Sequence, residues 1–331
     1  MQPHPYSTLT PDAVLDALSS AGLRPDGRLL SLNSYENRVY QVWLEDGAAT
    51  TGPGTLSSCV VAKFYRPGRW TEAQIDEEHA FARELAGREI PVVAPIFKGI
   101  FLNFTFAVYP RRGGRTPELG DSKTLEWIGR FIGRIHAVGA VKPFKVRETL
   151  NVKTFGHDQR NWLLEHALIP ADLLEAWKAV TDQAIAAIEK NFQIAKDYKA
   201  IRLHGDCHPG NILWTDQGPH FVDLDDARMG PALQDLWMLL SGDRDSMTRQ
   251  LSAVLAGYRD FAQLDPRELY LLEALRTLRL INYSAWIARR WDDPAFPAAF
   301  PWFNTQRYWQ DRILELREQI ALMDEPPLSP A

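Results

Sequence analysis

Asp206 and Asn211 stand five residues apart in the run His204-Gly-Asp-Cys-His-Pro-Gly-Asn211, with a histidine two places before the aspartate. His-x-Asp-x4-Asn is the spacing of a loop that transfers phosphoryl groups. The residue types suit that chemistry. A carboxylate, Asp206, meets the hydroxyl of the phosphate acceptor and takes its proton as the new bond forms. A neutral amide oxygen, Asn211, ligates Mg²⁺ without adding charge beside the phosphates. Pro209-Gly210 supports a tight loop that aims both side chains at one place. Twelve residues after Asn211 comes Asp223, in Phe221-Val-Asp-Leu-Asp225-Asp226. A carboxylate at the end of a buried strand there can bridge Mg²⁺ to the β- and γ-phosphates, which makes Asp223 both a metal ligand and a catalytic residue. Whether Asp225 also binds metal stays open.

Plainer readings compete with each of these. His204, Cys207 and His208 could form a zinc cluster, but two histidines four apart converge on one ion only in a helix. Gly205 and Pro209-Gly210 oppose a helix there. Asp223 to Asp226 could be a solvated strand end. His204 reads better as a buried organiser of the loop than as a base, because Asp206 already fills that role. Protein kinases carry Asp-Phe-Gly where this chain has Asp-Leu-Asp.

Phosphoryl transfer also needs a cation for the α- and β-phosphates. Val60-Val-Ala-Lys63-Phe matches, in type and place, the strand lysine of such enzymes. The plainer reading is an ordinary strand lysine with its head in solvent. Its partner should be a glutamate on the following helix, where Ile75, Ala82 and Leu85 mark an inward face. Position 78 lies on that face and 77 turns away, so Glu78 is the expected partner and Glu77 the alternative. The loop Asn33-Ser34-Tyr35-Glu36-Asn37 joins the first two strands and has no glycine. Ser34, at its tip, offers a hydroxyl to nucleotide phosphates, or is simply a turn residue. Tyr109 is expected in a hinge beside the adenine.

These residues need a scaffold. Thr10 caps and Gly22 stops a short helix. Leu29–Leu32, Arg38–Leu44 and Cys59–Tyr65 read as strands, with an exposed hairpin loop over Asp46–Ser58. Trp70–Gly87 is a helix with capping-box spacing at Thr71 and Gln74. Pro91–Pro95 and Phe104–Val108 read as two further strands. Tyr109-Pro-Arg-Arg-Gly-Gly-Arg115 is a natural hinge. Beyond it helices are expected at Ser122–Val138, Ala171–Phe192, Leu233–Leu240, Met247–Phe261, Arg267–Arg290 and Thr305–Leu322. Two short strand-like pieces, Ile201–Trp214 and His220–Leu224, interrupt them, and a frayed tail follows Glu325. The expectation is an α+β, two-lobed, protein-kinase-like fold. Residues 1–109 form an N-terminal nucleotide-binding lobe with a five-stranded antiparallel sheet. Residues 110–331 form a mainly helical catalytic and substrate lobe.

The 331 residues are 45% hydrophobic and 24% charged, enough apolar surface for a core, which excludes a disordered chain or a rod. A net charge of −5 gives no basic excess for nucleic acid. Two cysteines, Cys59 and Cys207, make no disulfide framework and suit a reducing compartment. No signal peptide and no apolar run of membrane length is visible, so a cytoplasmic protein with no membrane partner is expected.

Taken in order, these pieces resemble the bacterial stress response kinase A (YihE) group of the aminoglycoside phosphotransferase, choline kinase-like superfamily. The resemblance runs nearly end to end. It rests on Leu32-Asn-Ser-Tyr-Glu-Asn-Arg-Val-Tyr-Gln41, Val61-Ala-Lys-Phe-Tyr-Arg-Pro67, Leu203-His-Gly-Asp-Cys-His208, Gly210-Asn-Ile-Leu-Trp214, Phe221-Val-Asp-Leu-Asp-Asp-Ala-Arg228 and Arg290-Trp-Asp-Asp-Pro-Ala-Phe-Pro297. It implies Mg²⁺, ATP as phosphate donor, and transfer to Ser or Thr of proteins, including the enzyme itself, in a stress response. It also implies Asp206 as proton acceptor, Asn211 and Asp223 as metal ligands, and Ser34 at the ATP site. A monomer is expected. The alternatives are a small-molecule phosphotransferase acting on an amino alcohol, sugar or aminoglycoside-like acceptor, and a non-catalytic nucleotide-binding scaffold. Asp226, Asp235, Asp243 and Asp245 could draw a cationic acceptor, or could be helix caps and solvated charges.

Overall fold

The structure is a computed structural model and describes residues 4–45, 58–166 and 168–331. The chain divides into two compact units, one formed by Met1–Thr116 with Ile212–Asp225 and the other by Pro117–Asn211 with Asp226–Ala331.

In the first unit, helix α1 (Pro11–Ser20) starts where Thr10 accepts a hydrogen bond from Ala13 N at 3.2 Å. The five-stranded sheet comprises β1 (Pro25–Ser31), β2 (Arg38–Leu44), β3 (Cys59–Phe64), β4 (Phe97–Phe101) and β5 (Phe104–Pro110), in the order β1-β2-β3-β5-β4. Every pairing is antiparallel. Successive side chains of a strand face opposite ways, and β3 uses both faces. Val60, Ala62 and Phe64 join Val14, Ala17 and Leu18 of α1, with Phe104, Phe106 and Val108, in one core cluster. Tyr65, Ala107 and Tyr109 pack on the opposite face with Ile75 of α2 (Glu72–Ala86). Thr71 and Gln74 close the capping box that begins α2.

The fourth strand is not where proline-bounded Pro91–Pro95 suggested. Only Val92 makes an isolated bridge, with Phe221, and the strand itself is Phe97–Phe101. Pro91 and Pro95 have no N–H to give a ladder. The unit is completed by a hairpin, β7 (Ile212–Thr215) and β8 (Gly218–Phe221), bridged to it at Arg115 and Trp214. The expected loop over Asp46–Ser58 lies, save for Ser58, outside the described residues.

The second unit is mainly helical: α3 (Ser122–Gly139), α4 (Asp158–Glu165), α5 (Leu174–Ile194), α6 (Arg244–Tyr258), α7 (Leu272–Ala288), α8 (Ala295–Ala299) and α9 (Gln306–Met323). A two-stranded pair, β6 (Ile201–Leu203) with β9 (Arg228–Gly230), flanks the Asp206 loop on its chain path. Helices α3 and α6 cross at backbone contact. A methyl group on Gly129 would lie 2.0 Å from Val254 O, and one on Gly257 1.9 Å from Glu126 O. Two expectations are corrected here. Leu233–Leu240 forms two 3₁₀ turns, Ala232–Asp235 and Trp237–Leu239, not an α-helix. The tail is anchored: Leu328 is buried, Arg244 pairs with Glu325 at 3.1 Å and donates to Pro326 O, and Ala331 N donates to Ser252 Oγ at 3.0 Å.

Candidate active site

Lys63 sits at the centre of the sheet, opposite Val39 on β2 and Ala107 on β5. Strand alternation sends its side chain to the α2 face, where it is only 6% exposed. Its ammonium donates to Asp223 Oδ1 at 3.0 Å and to Asp225 Oδ1 at 2.5 Å. Burial alone would lower its pKa, but the charges of Asp223 and Asp225 outweigh that and hold the group well above the ordinary lysine range. The rings of Tyr65 and Tyr109 lie 5.3 Å from the ammonium.

The two glutamates of α2 differ in burial: Glu78 is 1% exposed and Glu77 only half-buried. The expected direct pairing needs correction. Among the described residues, the hydrogen bonds of Lys63 run to the two aspartates. Glu78 instead accepts from Tyr65 Oη at 3.2 Å and lies 3.5 Å from His79 Nε2, while its charge reaches Lys63 across space. The aspartates follow β8, 160 residues on, and spacing along α2 carries no trace of them. Tyr109 is likewise corrected: it belongs to β5, not to the hinge, and its hydroxyl lies 3.0 Å from that of Tyr65. Burial, then the charge of Lys63, brings His79 down to about 3, so it is neutral in this network.

Asp223 has φ 60°, a left-handed conformation rare outside glycine. It turns the chain from β8 into the 3₁₀ turn Leu224–Asp226, and both aspartates then reach the lysine. The Asp223 side chain is half exposed, whereas Asp225 is buried. Asn37 clamps that turn, donating to Asp225 Oδ2 and accepting from Arg66 N at 3.0 Å. Glu36 beside it is buried against Arg69 at 3.2 Å. Ser34 is half-buried in the same loop, between β1 and β2. Asn37 was not singled out, and Asp225, left open as a metal ligand, is here a partner of Lys63. The signal was a second carboxylate two places beyond Asp223 and two amides in a five-residue loop.

In the second unit, Asp235 fixes the backbone of the Asp206 loop. This fully buried carboxylate accepts from His204 N and Gly205 N, each at 2.8 Å, and lies 3.0 Å from His136 Nε2. Burial would raise its pKa, but the hydrogen bond and charge of His136 and the charge of His204 bring it below the ordinary range. Gln234 Nε2 donates to Gly205 O at 3.0 Å. Gly205 has φ 88°, and a methyl there would lie 2.0 Å from Asp226 O, so only glycine fits. Asp235 is thus neither a solvated charge nor a helix cap, while Asp243 does cap α6, accepting from Ser246 N at 2.8 Å.

On this base the loop presents its two chemical residues. Asp206 is half-buried; its Oδ1 accepts from Arg279 Nη1 at 2.6 Å and its Oδ2 lies 3.5 Å from His208 Nε2. Asn211 Nδ2 donates to Asp206 O at 3.0 Å. That bond uses one of the two N–H donors of the amide, and the amide oxygen is an acceptor. Cys207 is buried and its thiol pushed well up by burial, so it stays protonated and ligates poorly. Among the described residues no three His, Cys, Asp or Glu side chains group as a metal cage. The zinc reading of His204, Cys207 and His208 fails accordingly.

A profile of the phosphotransferase enzyme family (APH) matches residues 28–272. Stress response kinase A of Escherichia coli (strain K12) is 45% identical over 328 residues, covering 98% of this chain and 96% of the relative. The chain belongs to this family. Serine/threonine protein kinase RdoA of Salmonella typhimurium (strain LT2) is 43% identical over the same shares of the two chains. Among solved structures, amicoumacin kinase in complex with AMP-PNP, Ca²⁺ and Ami has the same fold, with a TM-score of 0.69 at 18% identity over 95% of this chain and 94% of that one. The protein is therefore a kinase-type phosphotransferase with an α+β, protein-kinase-like fold: a five-stranded antiparallel sheet in one part and helices dominating the other. Among the described residues no helix is long and apolar enough to cross a membrane.

Proposed function

We propose that this phosphotransferase is an ATP- and Mg²⁺-dependent serine/threonine protein kinase that also phosphorylates itself, and that it serves a stress response as its relatives' name indicates. The observation that carries the reading is the Asp206 loop. Its backbone is fixed by a buried carboxylate, its aspartate side chain is accessible, and its asparagine is oriented by the aspartate's own carbonyl. Asp206 receives the proton of the acceptor hydroxyl. Asn211 Oδ1 and Asp223, one neutral oxygen and one carboxylate, suit a hard divalent cation that keeps waters and phosphate oxygens in its remaining positions. Bound Mg²⁺ would neutralise charge developing on the transferred phosphoryl group. Lys63 anchors the nucleotide phosphates, Glu78 holds the buried side of that face, and Ser34 contacts the phosphates from the β1–β2 loop. The printed name of the Salmonella relative supports the protein acceptor.

The test is labelled ATP and Mg²⁺ with the protein alone, with a generic protein, and with a panel of small alcohols. Wild-type enzyme should label itself and the generic protein on Ser or Thr. Asp206→Asn should lower turnover on the order of 10²-fold or more while ATP affinity stays close to wild type. Equal labelling by that variant would remove the base from the mechanism. Rapid turnover of a small alcohol with no protein labelled would give the enzyme a small-molecule acceptor instead.

A further inference from the structure

Asp206 reaches its acceptor in the company of a guanidinium. Arg279, on α7, lies 73 residues along the chain from Asp206, and its Nη1 sits 2.6 Å from Asp206 Oδ1. The arginine side chain is 43% exposed, and among the described residues it makes no other hydrogen bond. A guanidinium has five N–H donors in a planar fork, and the contact with Asp206 uses Nη1, which leaves donors for a group bound beside the carboxylate. A hydroxyl giving its proton to Asp206 must come within hydrogen-bond reach of that carboxylate. Whatever flanks the hydroxyl then passes the open donors of Arg279.

The partners of the other acids bear on the same choice. Of the four carboxylates that the sequence offered to a cationic acceptor, Asp245 is exposed in the first turn of α6 and the other three are engaged within their own unit. Asp226 binds Arg228 at 2.5 Å, Asp235 is buried under the loop, and Asp243 caps α6. Arg276, one turn before Arg279, is held by Glu273 at 3.2 Å and by Leu240 O at 3.2 Å. Arg279, hydrogen-bonded to Asp206 at 2.6 Å, is a permanent charge that an incoming acceptor meets there, with the His208 ring 3.5 Å from the other carboxylate oxygen.

Building on Asp206 as the proton acceptor, we propose that Arg279 is a specificity-determining residue that selects acceptors with an anionic group beside the reacting hydroxyl. The matching substrate is a Ser or Thr flanked by a carboxylate or a phosphate. An ammonium beside the hydroxyl is repelled, which disfavours amino alcohols and aminoglycoside-like acceptors. The contact is charge-assisted.

The experiment compares one Ser/Thr peptide scaffold with acidic, neutral, basic or phosphoserine neighbours, plus a small hydroxy acid and a small amino alcohol. Wild type, Arg279→Gln and Arg279→Lys are each assayed on the full set, with Asp206→Asn as control. Wild type should favour acidic over basic neighbours by about tenfold in kcat/KM, the worth of one charged hydrogen bond, expressed mostly in KM. Arg279→Gln should bring the ratio near one, and Arg279→Lys should restore part of it. The ratio is taken within each variant, so a smaller folded fraction cancels. Which of the acidic and phosphoserine arms responds more identifies the anion. Absence of an acidic preference in wild type, or its survival in Arg279→Gln, would overturn the inference. Full labelling by Asp206→Asn would overturn the base assignment instead. Arg279-dependent turnover of the hydroxy acid with no peptide labelled would uphold the anion selection and overturn the protein acceptor.

Discussion

An ammonium taken out of water costs several kcal/mol unless carboxylates meet it, and Lys63 is met by two. Removing it leaves Asp225 buried, still accepting from Asn37 but without its cation. Lys63→Met should therefore destabilise the fold by about 3–5 kcal/mol as well as abolish turnover. Urea denaturation of the variant checks this, and adding Asp225→Asn should recover part of the loss, because the stranded charge is then gone. An unchanged midpoint for Lys63→Met would show that the pair contributes nothing to the fold. Glu78→Gln should cost less than Lys63→Met in both activity and stability, since its amide oxygen can still accept from Tyr65. At this scale the sequence was informative where chemistry is local. Spacing and residue type alone single out Asp206, Asn211 and Asp223 as candidates. The contacts of Asn37 with Asp225, of Asp235 with His204 and Gly205, and of Arg279 with Asp206 are not legible there, because each joins residues far apart in the chain.

Two close approaches between elements leave no room for a side chain. At Gly205 a methyl group meets Asp226 O, and the left-handed backbone adds about 1–2 kcal/mol of strain for any other residue. Gly205→Ala should displace the loop from Asp235 and cut turnover sharply, with ATP affinity little changed; turnover near wild type would mean that the loop tolerates the shift. Gly257→Ala, where α6 meets Glu126 O, should cost about 1–3 kcal/mol by thermal unfolding without a specific effect on acceptor choice. The legibility of elements follows the same division. The strands β2, β3 and β5 and the helices α1 to α3 were visible because alternation or helical period continues over several residues and the caps are explicit. The fourth strand was misplaced because an apolar run between prolines looks like a strand until its missing N–H groups are counted. The 3₁₀ turns around Asp235 were read as a helix because their residues are helix formers. Burial of one carboxylate against a distant loop decided otherwise.

Glu268 couples that region to pH through the stability of the whole chain. It is 3% exposed, accepts from Leu233 N at 2.9 Å, and burial lifts its carboxyl to about 7. Between about 4.5 and 7 the unfolded chain gives up this proton and the folded one keeps it, so the group's contribution to stability falls as pH rises through that window. The full effect is on the order of 3 kcal/mol. Glu268→Gln, which keeps an acceptor and loses the ionisation, should gain on wild type in melting temperature between pH 5 and 7.5. A difference independent of pH would place the titration elsewhere. The path of the chain has its own consequence. It passes between the two compact units three times, after Thr116, Asn211 and Asp225. Completion of the first unit thus waits, during synthesis, for a hairpin that leaves the ribosome only after residues 117–211, and the second unit waits for the last helix. Neither unit can be completed from a continuous stretch of nascent chain, and no single proteolytic cut can yield either one whole.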